Sequence, residues 1–385
     1  MKTQSTIAIS RRALSTVSTV SSVSSVSSVS SVSSVSTVSP FSSVASVSSV
    51  SSISSVASVS SVSPISSVSS VSSVSSVSTV SSVSSVSFNS NQPQPSLLKF
   101  VPPHIPANST DSERLRDFIF TKKKLLCLTG AGISTESGIP DYRSEGVGLY
   151  ATSKKRPMQY TDFISSEAFR QRYWARNFIG WPSFAALRPN NSHQFLADLE
   201  QRHPDILLWL VTQNVDSLHV KAGSQRITEL HGTAFKVICL SCGHTTPRTE
   251  YQSELRALNP GFQVAQPVLR PDADVDLSDE EIAQFKVASC GKCGEGVMKP
   301  FIVYFGENVP KSRVDFLYEK VDECDGLLVM GSSLQVYSGY RFATRAAEQK
   351  KPICIVNIGS TRADHLSTLR FDRVRCGDLL ANVKI

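Results

Sequence analysis

The sequence predicts an α/β protein built on an open, mostly parallel, Rossmann-like sheet with an inserted small zinc-binding domain. Short apolar runs alternate with helical stretches, and several runs end in loops of Gly, Ser, Asn or Gln. Near the middle this rhythm is broken by four cysteines in two close pairs. Repeated strand, polar loop and helix place a binding crevice above the strand ends.

The chain has 385 residues, 8 Cys, 7 His and a formal charge of +7, totals that average two unlike segments. Residues 1–87 are an almost pure Ser/Val repeat whose charges are Lys2, Arg11 and Arg12. A three-residue period fits neither strand nor helix, so the tract reads as low-complexity and disordered rather than as core. No acidic residue precedes Asp111, and a basic, hydroxyl-rich N-terminus has the character of an organelle-targeting leader. The plainer account is that a Ser/Val repeat simply contains no acids. No run of 18 apolar residues exists, so no helix is expected to span a bilayer.

Residues 88–110 read as an extended linker, and 111–236 as the first part of the large domain. The inserted domain is expected over 237–300, and the second part of the large domain over 301–385. Within these, helices are expected at Ser112–Thr121, Asp162–Trp174, Ser192–Glu200 and Val314–Asp322. Strands are expected at Leu125–Leu128, Ile206–Val211, Gly326–Met330 and Ile353–Val356. Lys122, Lys123 and Lys124 read as a solvated helix end, and no nucleic acid partner is expected. Cys127, Cys324 and Cys354 lie in apolar, strand-like runs and read as small core residues.

Cys239 and Cys242 form one CxxC knuckle, and Cys290 and Cys293 the other. Four thiolates suit a tetrahedral zinc with no open position, so one structural ion is expected, without His244 as a ligand. Gly130-Ala131-Gly132 follows a strand closely enough for backbone amides to approach a pyrophosphate. Alone it is weak, and the spacing fails the hydride-transfer fingerprint because Thr135 stands where a third Gly is needed.

In Gly138-Ile139-Pro140-Asp141-Tyr142-Arg143-Ser144, Arg143 could neutralise phosphate, Asp141 could orient phosphate or ribose, and Tyr142 could stack on a ring. An irregular loop with an internal ion pair is the plainer account. In Thr212-Gln213-Asn214-Val215-Asp216-Ser217-Leu218-His219, the carboxamides and carboxylate suit sugar hydroxyls and an amide. Helix capping explains Asn214 or Asp216 but not both together with Gln213. In Glu229-Leu230-His231-Gly232, His231 is the best general-base candidate because an ordinary His titrates near neutrality.

These motifs closely resemble the sirtuin family, class II in particular. Gly130 to Ser134, Gly138 to Ser144, Thr212 to His219, His231-Gly232 and the two CxxC pairs carry the resemblance, with Gly331-Ser332-Ser333-Leu334, Asn357 and Cys376-Gly377-Asp378 following. It covers about residues 102–383 and not the Ser/Val tract. It implies an NAD-dependent protein deacylase, a transferase acting on acylated-lysine proteins, and residence in the mitochondrial matrix with the leader as a transit peptide. In the implied reaction an acyl oxygen attacks the ribose carbon bearing nicotinamide, giving an alkylimidate. His231 then deprotonates a ribose hydroxyl, and lysine and O-acyl-ADP-ribose are released.

The resemblance also assigns residues. Asp216 and the Ile133 loop would hold the nicotinamide carboxamide, and Gln213 and Asn214 would position ribose and water. Asp141, Tyr142 and Arg143 would close over the NAD. Gly130, Ala131, Gly132, Gly331, Ser332, Ser333, Asn357 and Cys376 would contact its phosphate, ribose or adenine parts. The acyl-lysine peptide would lie between two strands, one with Val303, Tyr304, Phe305, Gly306 and Glu307, the other with Leu334, Val336 and Tyr337. Many sirtuins have Phe where this chain has Tyr142. Protein ADP-ribosyl transfer and a catalytically weak, zinc-bearing interaction protein are the alternatives; an NAD oxidoreductase is disfavoured by the glycine spacing.

Overall fold

A computed structural model describes residues 98–153, 156–264 and 270–385. The Ser/Val tract, the first part of the expected linker, and residues 154–155 and 265–269 lie outside the described residues. Three parallel strands come first, β1 (Leu125–Thr129), β2 (Leu207–Thr212) and β3 (Ile227–Glu229). The chain then leaves for an antiparallel sheet of β4 (Gly232–Cys239), β5 (Thr245–Pro247) and β6 (Met298–Ile302). It returns for β7 (Gly326–Met330), β8 (Ile353–Asn357) and β9 (Leu369–Asp372). The large sheet has the order β3-β2-β1-β7-β8-β9, all parallel. Its direction of growth reverses between β1 and β7, where an open α/β sheet parts its loops and forms a crevice.

Side-chain alternation explains the three layers. On one face Leu125, Cys127, Leu328, Met330, Cys354 and Val356 pack under helices Ser109–Phe120, Asn191–Arg202 and Cys376–Ala381. Their strand neighbours Leu126, Leu128, Leu327, Val329, Ile353 and Ile355 face helices Lys311–Glu323 and Tyr337–Glu348. A strand buried on both faces must be apolar throughout, which is why β1, β7 and β8 read as unbroken hydrophobic runs.

The expected helix over Asp162–Trp174 is instead two, Tyr160–Ser165 and Glu167–Ala185, parted where Ser166 takes an extended conformation. The second helix runs on because Trp174, Phe178, Trp181 and Phe184 form a buried stripe that meets the small sheet. Cys127 and Cys354 are buried strand residues as expected, but Cys324 caps the helix Lys311–Glu323 rather than lying in a strand. No helix among the described residues is long and apolar enough to cross a membrane.

Arg248 pins the small sheet's helix, Arg248–Leu258, to Glu167–Ala185. Its fully buried guanidinium lies 5.2 Å from the Trp174 ring and 4.8 Å from Trp181. It donates to Asn177 Oδ1 at 2.8 and 3.2 Å. Aromatic faces and one amide oxygen thus supply the negative potential that a buried cation requires.

Beneath the end of β1, His193 and His219 are buried with ring centroids 4.6 Å apart. Burial lowers both, His219 to about 3, and the neighbouring His219 ring adds to the lowering of His193. Because the folded values lie below the ordinary 6.5, their contribution to stability is complete above pH 6.5 and is lost as pH falls towards the folded values. Each ring held neutral should cost about 1.4 kcal/mol per pH unit in that window. Urea unfolding at pH 7, 6 and 5 should show a falling midpoint, and His219→Gln should flatten the fall.

Candidate active site

A cavity of about 1630 Å³ opens over the carboxyl ends of the parallel strands. Its floor is an interlock of two loops. The Gly132 amide donates to the Gly331 carbonyl at 2.8 Å, and the Gly130 amide to Met330 at 3.2 Å. A Cβ on Gly132 would stand 2.8 Å from the Gly331 oxygen, and one on Gly130 2.7 Å from Ser332 Cβ. Gly331 itself has φ of +60° and faces the Ile133 amide. The glycines are therefore required by the approach of loop to loop, before any phosphate is considered.

Gln213 bridges the same elements from the side, its amide donating to Ser332 Oγ at 2.8 Å and to the Thr129 carbonyl at 3.2 Å. Asn214 donates to the Gly130 carbonyl at 3.1 Å and to Ser134 Oγ at 3.0 Å. Ser134 in turn donates to Asp216 Oδ2 at 2.7 Å, while Asp216 Oδ1 accepts the Leu218 amide at 2.9 Å. Burial pushes the Asp216 carboxyl up, and these two hydrogen bonds with the Lys221 charge pull against it. Ser134, a hub between two predicted residues, lay inside a quoted motif without being given a role.

His231 sits at the mouth of this arrangement. Its Nδ1 is 2.8 Å from the Gln213 carbonyl, which can only accept, so Nδ1 carries the proton. Nε2 then presents its lone pair, 2.8 Å from Ser338 Oγ, whose hydroxyl donates to it. Burial lowers His231 to about 4, with the nearby Arg313 acting in the same direction and the Gln213 hydrogen bond opposing. The expectation of titration near neutrality is thus corrected. The ring is neutral throughout the physiological range, which a base needs. The next residue, Gly232, has φ of +80° and abuts the Phe301 carbonyl, which brings the imidazole against β6.

The loop of Asp141, Tyr142 and Arg143 is held by bonds of its own. Asp141 accepts the Ser144 amide at 2.8 Å and the Arg143 amide at 3.1 Å, and the Ser144 hydroxyl also donates to it. Its carboxylate shapes the loop from within. Tyr142 lies 6.0 Å from both Tyr150 and Phe305, and the Arg143 guanidinium 5.5 Å from the Tyr150 ring. All three still line the cavity, as do Gly130, Ala131, Gly132, Gln213, Asn214, Asp216, His231, Gly331, Ser332, Ser333 and Asn357. Ile133 does not: its side chain is buried in the core beneath the sheet. Cys376 lines a small adjoining cavity with Gly132 and Asn357, and burial pushes its thiol up to about 12.

The two expected substrate strands also line the cavity, but neither is a strand. β6 ends at Ile302, after which the Val303 amide donates to the His231 carbonyl at 2.7 Å and Phe305 bridges Gln159. Leu334 has φ of +52°, and a helix begins at Tyr337. A segment whose neighbour is missing has no ladder to hold it extended. Tyr304 is largely buried against Phe163 and Tyr173, at 5.2 and 5.6 Å between rings. Glu307 binds the Tyr304 amide at 2.9 Å and pairs with the buried Lys299 ammonium at 2.9 Å. Lys299 was missed; a charge inside the apolar β6 was its signal.

The sulfurs of Cys239, Cys242, Cys290 and Cys293 lie within 4.8 Å of one another, with 3.7 Å between Cys239 and Cys293 and 3.8 Å between Cys242 and Cys290. A tetrahedral ion about 2.3 Å from each sulfur would separate them by about 3.8 Å, so the cluster fits a metal. None of the four lines the cavity.

Residues 130–338 match the model of the Sir2 family. The chain belongs to the Sir2 family. Its relatives include the Bos taurus protein named NAD-dependent protein lipoamidase sirtuin-4, mitochondrial, 54% identical over 73% of this chain and 88% of that one. The Drosophila melanogaster NAD-dependent protein deacylase Sirt4 is 51% identical over 73% of this chain and 89% of its own. Among solved structures, a Sir2, p53 peptide and NAD+ complex aligns with a TM-score of 0.55 and 25% identity, covering 70% of this chain and 96% of that chain.

For this Sir2 protein the glycine interlock yields a direct test. Gly331→Ala forces a left-handed alanine against the Ile133 backbone. The combined strain and overpacking should cost roughly 2–5 kcal/mol. Thermal unfolding with and without NAD measures it; an unchanged melting temperature would show that the loops can part freely.

Proposed function

We propose that this chain is an NAD-dependent protein-lysine deacylase that yields nicotinamide, deacylated lysine and O-acyl-ADP-ribose. The observation that carries the reading is the neutral His231 imidazole, proton on Nδ1 and lone pair on Nε2, at a cavity over the reversal between β1 and β7. The Sir2 match and relatives named as NAD-dependent deacylases and a lipoamidase support it. When bound, NAD supplies a ribose carbon that can exchange nicotinamide for an acyl oxygen.

The residues of this chain do the rest. The Gly130–Gly132 and Gly331–Ser333 loops, with Asn357 and Cys376, would bind the dinucleotide, and Asp141, Tyr142 and Arg143 would cover it. Asp216 would hold the carboxamide, with Ser134 and Asn214 fixing that carboxylate. His231 would accept a ribose hydroxyl proton at Nε2 and keep its Nδ1 proton on Gln213 throughout. The segments Val303–Glu307 and Leu334–Tyr337 would take the peptide backbone between them by strand addition, leaving acyl selectivity to the cavity wall.

The four cysteines would hold one structural Zn2+ in a small domain over 237–300, between the two parts of the NAD-binding domain, 111–236 and 301–385. The basic, acid-free N-terminus and the mitochondrial names of relatives support residence in the mitochondrial matrix.

His231→Ala should keep the fold and lower peptide deacylation about a hundredfold or more. A matched panel of acyl-lysine peptides, with nicotinamide and deacylated peptide both quantified, gives the readout; equal turnover would sink the base assignment. Elemental analysis should find one zinc per chain. Cys290→Ser should lose it and lower stability with or without NAD.

A further inference from the structure

We propose that Ser338 is a positioning residue for His231, coupling the segment that receives the peptide to the aim of the base. The inference rests on the deacylase reading and extends it to a residue to which that reading gives no role. The imidazole has two in-plane anchors. The Gln213 carbonyl fixes Nδ1, and the Ser338 hydroxyl, 2.8 Å from Nε2, fixes the side of the ring that must accept a proton. With one anchor a ring can pivot about that hydrogen bond; with two its plane is set.

The position of Ser338 gives the second anchor its consequence. It lies in the first turn of the helix Tyr337–Glu348, directly after the cavity-lining Leu334–Tyr337 segment. The next residue, Gly339, packs so closely on Gln213 that a Cβ there would stand 2.6 Å from Gln213 Oε1. The helix end thus touches the residue that holds one ring nitrogen and supplies the hydroxyl that holds the other. Any shift of Leu334–Tyr337 on peptide docking reaches both anchors.

A hydroxyl also suits both states of the base. It donates to the neutral Nε2 and, after rotation about Cβ–Oγ, accepts from the Nε2–H of the imidazolium. Before turnover it occupies the lone pair, keeping the ring aimed into the cavity. When a substrate hydroxyl displaces it, the substrate's proton passes to Nε2 as the substrate oxygen bonds the acyl carbon, and the Ser338 hydroxyl then accepts from the Nε2–H so formed.

Two readouts test the role. In the NAD-free protein with 15N-labelled histidine, the His231 signal is assigned from its absence in His231→Asn. Ser338→Ala should move Nε2 towards the value of an unbonded imidazole nitrogen, leave the His193 and His219 signals in place, and be reversed in Ser338→Thr. With NAD and acyl peptide, Ser338→Ala should lower kcat for deacylation roughly three- to tenfold. KM should stay near wild type, and exchange of labelled nicotinamide, which precedes the base's step, should persist; Ser338→Thr should restore kcat. An unmoved Nε2 signal, an unchanged kcat, or a parallel fall of exchange and deacylation would each overturn the proposal. Absence of nicotinamide exchange in the wild type would instead overturn the deacylase reading, while the NMR arm still reports on the contact.

Discussion

The contact on which the molecule depends is backbone against backbone, where the loops leaving β1 and β7 meet. Parallel strands on either side of a reversal send their connections away from each other, and the gap that results would ordinarily fill with water. Here the Gly132 amide closes it on the Gly331 carbonyl, and the Gly331 amide reaches onward to Val356 at 2.9 Å. Three neighbouring strand ends become one rigid ledge. Gln213, Asn214 and Ser332 hydrogen-bond to that ledge or across it, so their positions follow from the glycines rather than from contacts of their own.

The ledge also sets the electrostatics. Burial favours the neutral form of every group it surrounds, which lowers His231, His193 and His219 and raises Asp216 by one cause. For His231 the result is an imidazole that is unprotonated near neutral pH but pulls weakly on a proton. Its strength then depends on the charges around it: Arg313, which donates to the Leu230 carbonyl at 2.9 Å, weakens it, and negative charge brought close by a substrate strengthens it.

The sheet was legible in the sequence because burial on both faces leaves unmistakable apolar runs at Leu125–Leu128, Gly326–Met330 and Ile353–Val356. The cysteine cluster was legible because spacing alone brings four sulfurs together. The imidazole expected as the base does line the cavity, but its ionisation was not legible, since the shift comes from burial and from Arg313, far along the chain. Ser134 and Ser338 escaped for the same reason, each acting through a partner 82 or 107 residues away, whereas Lys299 lies only 8 residues from Glu307. The loop bonds of Asp141 were not legible because an acid in a Gly-Pro turn serves its own backbone as readily as a ligand. The peptide segments were expected as strands because the family resemblance implies strands there, yet strand geometry needs a neighbour to pair with.

The small sheet joins this scheme through register. Cys239 pairs with Met298 across β4 and β6, and the Met298 carbonyl also accepts the Trp174 indole at 3.0 Å. One residue on, the buried Lys299 holds Glu307, and Glu307 holds the Tyr304 amide at the edge of the cavity. A one-residue slip of β6 would exchange its two faces and turn Lys299 outward, leaving the carboxylate of Glu307 half-buried without its cation. The four-sulfur cluster, with Cys239 among its members, fixes the end of β4 where that slip would begin. A cluster outside the cavity thereby reaches the cavity edge at Tyr304, through strand pairing and one ion pair.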